Sequence, residues 1–392
     1  MKKQIPARIA ALCLLLYFVF LSFFGLGDYL CPDTISRFDG DEPESLFCFS
    51  FVPEESDGGQ TQSSDYRLMA FGLVPVKSVR VNFYPKAEVI CGGELFGLRI
   101  ETGALLVTGL GEIRTDAGTV SPGAAAGLKK GDLLLKANGV TLSDAATFAK
   151  IVSRSDGKEV TLSVKRQNEA LTLALTPAFS ADGGGYKAGL WVRDGAAGLG
   201  TVTFRDPVSG AFGGLGHAVC DSESGAVFPL KSGSVCQARI EGILRGENGK
   251  AGEIRGTLEK EPYGALSANT STGVFGTLPC QGDRSPTVPI ALKGEVKTGK
   301  ASLVCTLDSD GKKEYEIEIE EIIGPDRETK NFVLHVTDPA LLEKTGGIIQ
   351  GMSGSPILQN GKLVGAVTHV LVGDPTRGYG IFIENMLGNM PE

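Results

Sequence analysis

The pattern of hydrophobic and polar positions changes along the chain. Residues 9–26, IAALCLLLYFVFLSFFGL, form an uncharged run without a polar face. Farther on, VKSVRVNFYP and EVTLSVKR alternate apolar and polar positions, as half-buried strands do, and SDAATFAKIVSRS between them has a helical pattern. From Tyr186 to the end, short apolar stretches are separated by glycine-rich turns, which is typical of an all-β barrel or sandwich. The pattern predicts a mainly β protein with one α/β segment and an apolar N-terminal helix.

The apolar run near the N-terminus predicts a membrane anchor. Lys2, Lys3 and Arg8 precede it. Eighteen helical residues would span about 27 Å, enough for a membrane core, whereas the apolar part of a signal peptide is usually about 7–15 residues long. Positive charge before the run orients the N-terminus to the cytoplasm. We expect an uncleaved transmembrane helix at Ile9–Leu26, within a first region of residues 1–27, and an extracytoplasmic remainder. A cleaved signal peptide is the alternative, because Gly25 and Gly27 could serve a signal peptidase.

Acidic, glycine-punctuated sequence follows the anchor. The stretch from Asp28 to Asp65 contains ten acidic residues and one arginine. Such a composition buries too little apolar area to order itself. We therefore expect residues 28–70 to form a flexible linker that is open to proteolysis. The apolar patch SLFCFSFV within it is unexplained by this interpretation and could be a docking strand. Order is expected to return near Leu73, so that residues 71–91 form a β-rich lead-in segment.

Residues 92–179 contain the motif order S-P-x-x-x-A-G-L-x-x-G-D-x-L-x-x-x-N-G. The GD and NG pairs are turn dipeptides around the strand LLLKA, and Ser143 or Asp144 can cap the helix that follows. In these residues the segment resembles the PDZ domains attached to bacterial proteases, which are α/β domains. The resemblance implies that Phe96, Gly97 and Leu98 form the loop whose N–H groups receive a peptide carboxylate, while the peptide adds a strand. The alternative is that these three are core and turn residues, with a groove that is empty or filled by the chain itself.

Four stretches of the C-terminal region carry the candidate chemistry: AAGLGTVTFRDPVSGAFGGLGHAVCD, SANTSTGVFGTL, HVTDPALLEKTGGIIQGMSGSPILQNGKLVGAVTHV and DPTRGYGIFIENML. Together with an anchor and a PDZ domain, they resemble the stage IV sporulation protein B family of serine peptidases. That family is grouped with the chymotrypsin-like peptidases, which use histidine, aspartate and serine in this chain order. The resemblance implies a double β-barrel peptidase domain over residues 186–392, with no cofactor.

Three residues match the catalytic roles. By the resemblance, His217 in GGLGHAVCD is the general base, Asp338 in HVTDPALLEK the acid and Ser353 in GMSGSP the nucleophile. A serine hydroxyl is a poor nucleophile until an imidazole takes its proton, and the imidazole needs a carboxylate to hold its tautomer. Glycines at 351 and 354 let the backbone approach a substrate carbonyl, so the N–H groups of Gly351 and Ser353 can form an oxyanion hole.

Each assignment has an alternative. His335 and His369 compete with His217 as the base. Strand alternation in NFVLHVTD turns His335 toward solvent, and His369 on GAVTHVLV is expected in the core or in a pocket wall. The same alternation would carry the carboxylate of Asp338 inward, but an aspartate before a proline also suits a helix cap. Ser353 itself could be a simple turn serine.

Composition narrows the classes of function. The chain has 392 residues, of which 42% are hydrophobic and 21% charged, enough for two or three domains. A net charge of −8 and a pI near 5.2 argue against nucleic acid as a partner. Eight cysteines without a CxxC pair and only three histidines indicate small core residues rather than a metal site, and leave room for a disulfide.

The family resemblance also implies a role in signalling. A protein of this kind is made in the forespore, lies in its membrane and faces the intermembrane space. It cleaves itself in its N-terminal region and cuts a membrane-bound regulator of a sigma-K processing complex during sporulation. A peptide ligand or a segment of its own chain would occupy the PDZ groove. Two alternatives are a non-catalytic PDZ scaffold of an envelope or secretion complex, and a serine/lysine peptidase. The lysine would be Lys362, which falls in the hairpin turn QNGK and is expected to be solvated.

Overall fold

The computed structural model describes residues 14–15, 17–18, 21–22, 25–54, 63–280, 285–324 and 327–391. The chain divides into two compact units, one of residues 1–87 with 292–295 and one of residues 88–291 with 296–392. The predicted anchor, Ile9–Leu26, lies largely outside the described residues. Among the residues that are described, no helix combines the length and the apolar character that a membrane crossing requires.

The first unit is a small β-sheet. Its strands are β1 Thr34–Phe38, β2 Phe49–Pro53, β3 Ser63–Ala70 and β4 Val74–Tyr84. Their spatial order is β1-β4-β3-β2, with β1 parallel to β4 and the other pairs antiparallel. Phe49, Leu68 and Val79 are buried in its core. A 3₁₀ turn, Lys293–Glu295, belongs to the same unit.

The prediction of a flexible linker over residues 28–70 is wrong for the described part of that segment. The apolar patch SLFCFSFV supplies β2, whose Phe49 is 1% exposed. Acidic side chains that suggested disorder lie at the surface and pair with cations, as Asp28 and Asp33 do with Lys77. A sheet of this size needs only one apolar face, so a mean composition dominated by its acidic residues does not report the apolar positions that order it.

The second unit contains twenty-two strands among its described residues. They are β5 Glu88–Cys91, β6 Leu95–Leu110, β7 Ile113–Thr115, β8 Gly118–Val120, β9 Leu133–Ala137, β10 Val140–Thr141, β11 Val160–Arg166, β12 Glu169–Leu175, β13 Ala178–Phe179, β14 Tyr186–Lys187, β15 Leu190–Arg205, β16 Ala211–Gly214, β17 Ser232–Leu244, β18 Glu253–Thr270, β19 Gly273–Thr277, β20 Thr287–Pro289, β21 Gly299–Thr306, β22 Lys312–Ile322, β23 Phe332–Val336, β24 Pro356–Gln359, β25 Lys362–Val370 and β26 Arg377–Phe382. Its helices are α1 Pro122–Ala125, α2 Ala145–Ser153, α3 Pro339–Thr345 and α4 Ile383–Leu387.

An α/β segment with the strand order β12-β11-β9-β6 is formed where the PDZ-like motif lies. Its helix is α2, the predicted SDAATFAKIVSRS, and Oδ1 of Asp144 caps it by accepting a hydrogen bond from Thr147 N at 2.7 Å. Asp132 of the GD motif is buried and accepts a hydrogen bond from Nε of Arg166 at 2.7 Å. The core between sheet and helix includes Leu105, Leu134, Phe148 and Leu162.

Two six-stranded barrels make up most of the remainder. The first closes through the pairings β6-β17-β18-β19-β16-β15 and back from β15 to β6. The second is the closed barrel β21-β22-β23-β26-β25-β24. Phe96 and Val235 are buried in the first barrel, and Leu303 and Phe332 in the second. The predicted double β-barrel is therefore confirmed.

Strand β6 is shared between the α/β segment and the first barrel. Phe96, Gly97 and Leu98 lie in its first half, between β15 on one side and β17 on the other. Their backbone groups are used in these two ladders, and Phe96 and Leu98 are 0% and 2% exposed. The prediction that the three form a peptide-receiving loop is wrong, because a strand with a neighbour on each side has no free N–H groups to offer. They are core residues, which was the alternative.

The edge of β6 that a peptide ligand would use is occupied by the chain itself. Leu190, Trp191 and Val192 of β15 pair with residues 107–110 of β6. Leu190 and Val192 pack against the core beneath α2, and a cavity of about 520 Å³ remains between α2 and this part of β15. The chain thus covers this edge of β6 itself, and β15 continues from there into the first barrel.

Candidate active site

Ser353 lies in a tight turn between α3 and β24. Gly351 and Gly354 on either side have φ angles of 98° and 92°, in the left-handed region that favours glycine. The Ser353 side chain is half-buried, and its hydroxyl donates a hydrogen bond to the carbonyl of Thr368 at 2.7 Å. The turn therefore holds the serine at the surface of a cavity rather than in the core.

Two threonines of β15 hold this turn from the first barrel. Thr201 N donates to the Ser353 carbonyl at 2.9 Å, and Thr201 Oγ1 donates to the Gly351 carbonyl at 2.8 Å. Thr203 Oγ1 donates to the Gly354 carbonyl at 2.7 Å. Both threonines are buried, so these hydrogen bonds are shielded from water. The sequence analysis missed them, although the TVT alternation in AAGLGTVTF places two hydroxyls on one face of a strand.

Ser353, His217 and His369 line one cavity of about 450 Å³, formed by residues of both barrels. The two imidazole rings are 4.8 Å apart, centroid to centroid. Apolar side chains, such as Leu199 and Ile349, form much of the wall, and no described aspartate or glutamate lines it. The structure thus brings together the predicted nucleophile and the predicted base, and adds a second histidine.

His217 is fixed by a backbone carbonyl. Its Nδ1 lies 2.8 Å from the carbonyl oxygen of Ala218. Because a carbonyl oxygen can only accept, Nδ1 carries the proton in the neutral ring and Nε2 keeps the lone pair. Burial lowers the pKa of His217, the hydrogen bond to Ala218 opposes this shift, and the charge of Lys330 adds to it. The ring is therefore held neutral, with Nε2 able to accept a proton.

The other two histidines differ in position. His369 also lines the cavity; desolvation is the main cause that lowers its pKa to about 4, and the electrostatic interactions with His217, when that ring is protonated, and with Lys330 add to it. His335 is half-buried on the outer side of β23, and its Nδ1 is 3.3 Å from Oε1 of Glu320. It does not line the cavity. The predicted outward face of His335 and the predicted pocket-wall position of His369 agree with this arrangement.

Asp338 is not brought to Ser353 and His217. Its Oδ1 accepts hydrogen bonds from Ala340 N at 2.9 Å and Leu341 N at 3.1 Å, and Oδ2 accepts from Glu316 N at 3.2 Å. The residue is the N-cap of α3 and does not line the cavity. The structure thus has the helix cap that the aspartate-proline pair also suggested, because free N–H groups at the start of a helix attract a carboxylate.

The backbone amides of the Ser353 turn divide into two groups. Met352 N donates to the Ile349 carbonyl and Gly354 N to the Val367 carbonyl. Within the described residues, no acceptor is found for the N–H groups of Gly351 and Ser353. These are the two donors that the sequence predicts for an oxyanion hole, and both are therefore available to a bound oxygen.

A side chain at position 354 should destabilise the fold. In Gly354→Ala, the new Cβ would lie 2.1 Å from Thr201 O and 2.3 Å from Leu215 N, in addition to the unfavourable φ. We expect a loss of about 2–4 kcal/mol in the free energy of unfolding, measured by denaturant titration. The control is Gly361→Ala, at a φ of 76° with no atom within 4 Å, which should lose about 1–2 kcal/mol. Equal losses would contradict the close contact between the two barrels.

Comparisons with known proteins match two regions of the second unit, the α/β segment and the region that contains most of the two barrels. Residues 184–387 match the family model described as SpoIVB peptidase S55, and residues 113–166 match that of a PDZ domain. A solved structure described as the crystal structure of Rv3671c protease, inactive form, is 15% identical, with 48% of this chain and 81% of that chain covered and a TM-score of 0.27. A comparison with curated proteins returns no match.

The region matched by the peptidase family spans more than half of the chain and includes both His217 and Ser353. The PDZ match covers α2 and the strands β9 and β11 of the α/β segment. The cavity that holds the two residues thus lies in the matched peptidase region, and the α/β segment before it is a PDZ domain. The chain belongs to the SpoIVB peptidase S55 family and is a serine peptidase that carries a PDZ domain.

Proposed function

We propose that Ser353 is the nucleophile and His217 the general base of this peptidase. The observation that carries the proposal is their meeting in one cavity, with His217 held in the tautomer that leaves Nε2 free. The Ser353 hydroxyl first turns from the Thr368 carbonyl toward His217. Its oxygen then attacks the substrate carbonyl while its proton passes to Nε2, which returns the proton to the leaving amine. Water hydrolyses the acyl-enzyme by the same steps in reverse.

The N–H groups of Gly351 and Ser353 form the oxyanion hole in this proposal. Both lack an acceptor among the described residues, so neither has to break a hydrogen bond when a tetrahedral oxyanion forms. One such donor is typically worth about 3–4 kcal/mol of transition-state stabilisation.

Asp338 does not lie where a triad acid would have to be, and Lys362 does not lie where a lysine base would have to be. The carboxylate of Asp338 accepts hydrogen bonds from two backbone amides at the start of α3 and from the backbone amide of Glu316 in β22. Lys362 lies opposite Gln359 in the hairpin between β24 and β25 and does not line the cavity. We assign helix capping to Asp338 and no catalytic step to Lys362.

Labelling with a fluorophosphonate tests these roles. In the full chain, the probe should form an adduct at Ser353, identified by mass spectrometry, and Ser353→Ala should not be labelled. His217→Ala should slow labelling by about 10⁶-fold, since the serine loses its base. Asp338→Asn should be labelled like wild type, because asparagine caps helices about as well as aspartate. Asp338→Ala controls for loss of the cap. If Asp338→Asn fails to label while remaining folded, the acid role of Asp338 holds after all.

The dependence of labelling on pH should report the burial of His217. A general base must be neutral, and a lowered pKa keeps it neutral at lower pH. The labelling rate should therefore fall toward acid with a midpoint below the ordinary imidazole value of 6.5. The measurement is the rate from about pH 4 to about pH 8, across the range in which imidazole titrates. A midpoint above 6.5 would argue that a carboxylate, and not desolvation, dominates the surroundings of the base.

We further propose that the peptidase acts in signalling between compartments during sporulation. Family membership and the uncharged run Ile9–Leu26 after three cations support this proposal. The run anchors the chain in the forespore membrane, with the peptidase on the extracytoplasmic side. Its substrates are its own N-terminal region and a membrane-bound regulator of a sigma-K processing complex.

Self-cleavage in this proposal occurs in residues 39–47, between β1 and β2. This loop is largely exposed, and Phe47 within it is 86% exposed. Exposed loops are the preferred sites of nicking, and an aromatic side chain suits the apolar wall of the Ser353 cavity. Wild-type full chain should lose its N-terminus at this loop, as shown by intact mass and N-terminal sequencing. Ser353→Ala should stay whole, and Phe47→Asp should be processed more slowly. Wild type that labels at Ser353 but stays whole would contradict self-cleavage without affecting the catalytic assignment.

A further inference from the structure

Asn269, near the end of β18, holds the segment that carries His217. Its Oδ1 accepts a hydrogen bond from Val219 N at 2.8 Å, and its Nδ2 donates to the carbonyls of Val219 at 3.0 Å and Phe228 at 2.8 Å. The orientation of this amide is unambiguous, because an N–H group can meet only the oxygen and carbonyls can meet only the nitrogen. Asparagine is depleted in strands, so strand propensity does not explain why this residue stands in β18. Its side chain is used in hydrogen bonds, so packing in an apolar core does not explain it either.

The peptide group between residues 218 and 219 connects Asn269 to the base. Its carbonyl, on Ala218, accepts the hydrogen bond from Nδ1 of His217. Its N–H, on Val219, donates to Oδ1 of Asn269. A peptide that donates at one end is polarised and becomes a better acceptor at the other. His217, one peptide group and Asn269 therefore form a continuous line of hydrogen bonds.

The hydrogen bonds that begin at Asn269 end at Nδ1 of His217. This is the ring nitrogen that a serine peptidase must support with a hydrogen-bond partner. The imidazole must be held in one tautomer, and the imidazolium formed during attack must be stabilised at Nδ1. No described carboxylate lines the cavity, and Asp338 is occupied at the start of α3. What supports Nδ1 in the structure is the Ala218 carbonyl, and what supports that peptide group is Asn269.

We propose that Asn269 is a positioning residue of this peptidase: it orients and supports His217 through the Ala218–Val219 peptide group, as a carboxylate does by direct contact in a Ser-His-Asp triad. The inference rests on the proposed role of His217 as the base. Asn269 does not line the Ser353 cavity and makes no hydrogen bond to Ser353. Its contribution is to hold the loop in place and to strengthen the acceptor at Nδ1.

Removal of the amide should slow the reaction and change its pH dependence. In Asn269→Ala, the Val219 N–H loses its acceptor, so the Ala218 carbonyl becomes a weaker partner for Nδ1. We expect Ser353 to react with a fluorophosphonate on the order of 10- to 100-fold more slowly, by analogy with the loss seen when the hydrogen-bond partner behind a metal-binding histidine is removed. The hydrogen bond to Ala218 favours the protonated ring, so weakening it in Asn269→Ala should lower the pKa of His217. The acid limb of the rate profile, where the rate falls as the base becomes protonated, should therefore move to lower pH.

Asn331 provides the matched control. It is a buried asparagine whose Nδ2 donates to the carbonyls of Gly324 at 2.9 Å and Arg327 at 2.7 Å, and whose Oδ1 accepts from Phe382 N at 3.0 Å. It thus makes the same set of backbone contacts, but in the second barrel, and it neither lines the Ser353 cavity nor bonds the His217 segment; the charge of the neighbouring Lys330 is unchanged in the variant. In Asn331→Ala, the rate per folded molecule and the acid limb should both stay as in wild type.

The experiment compares the full chain as wild type, Asn269→Ala, Asn269→Asp and Asn331→Ala, with the folded fraction of each measured by circular dichroism. Asn269→Asp keeps the acceptor for Val219 N–H and adds negative charge, so its acid limb should move to higher pH, opposite to Asn269→Ala. This variant serves if Asn269→Ala does not fold. Acid limbs that coincide in all four proteins would overturn the positioning role. Absence of labelling at Ser353 in wild type would instead overturn the proposed catalytic function itself.

Discussion

The hydrogen bonds between β15 and the Ser353 turn are the constraint on which the site depends. The turn belongs to the second barrel, yet Thr201 and Thr203 of the first barrel bind three of its carbonyls. Each buried hydrogen bond contributes about 1 kcal/mol net, but leaving its partner unsatisfied would cost about 1–3 kcal/mol. The turn can therefore be stable in this shape only when the two barrels are in contact. Gly354 is required for the same reason, since its Cα lies against the backbone of β15.

Strand β15 also connects the PDZ domain to the two loops that carry His217 and Ser353. Its first residues fill the edge of β6 beside α2. Arg193, next along the strand, lies with its Nε 3.3 Å from Oδ2 of Asp221, a buried carboxylate in the turn that follows His217. Thr201 and Thr203 then contact the Ser353 turn. The edge of β6 beside α2, the loop that carries His217 and the Ser353 turn are thus all in contact with one continuous strand.

Several features were predictable because they depend on neighbours in the sequence. Alternation in FVLHV places Phe332, Leu334 and Val336 in the core, where each is at most 1% exposed. The helix after Asp144 begins where its cap predicts. The GMSGSP stretch predicted a glycine-bracketed turn, and Gly351 and Gly354 have the positive φ angles that such a turn needs. In each case the determining interaction lies within a few residues, which is the range that a pattern can report.

The wrong predictions and the missed residues depend on contacts between parts of the chain that are far apart in sequence. Phe96–Leu98 match a PDZ motif locally, but β15 and β17, far along the chain, pair with both of their edges. Asp338 has the right neighbours for a buried acid and for a helix cap, and only the position of α3 chooses between them. The sequence by itself determined many of the strands, the glycine-bracketed turn around Ser353 and the family. The tertiary structure decided which histidines meet Ser353 and which groups support His217. Those contacts join residues 50 positions apart, as in Asn269 and Val219, or on different barrels, where only closure of the sheets brings them within hydrogen-bonding distance.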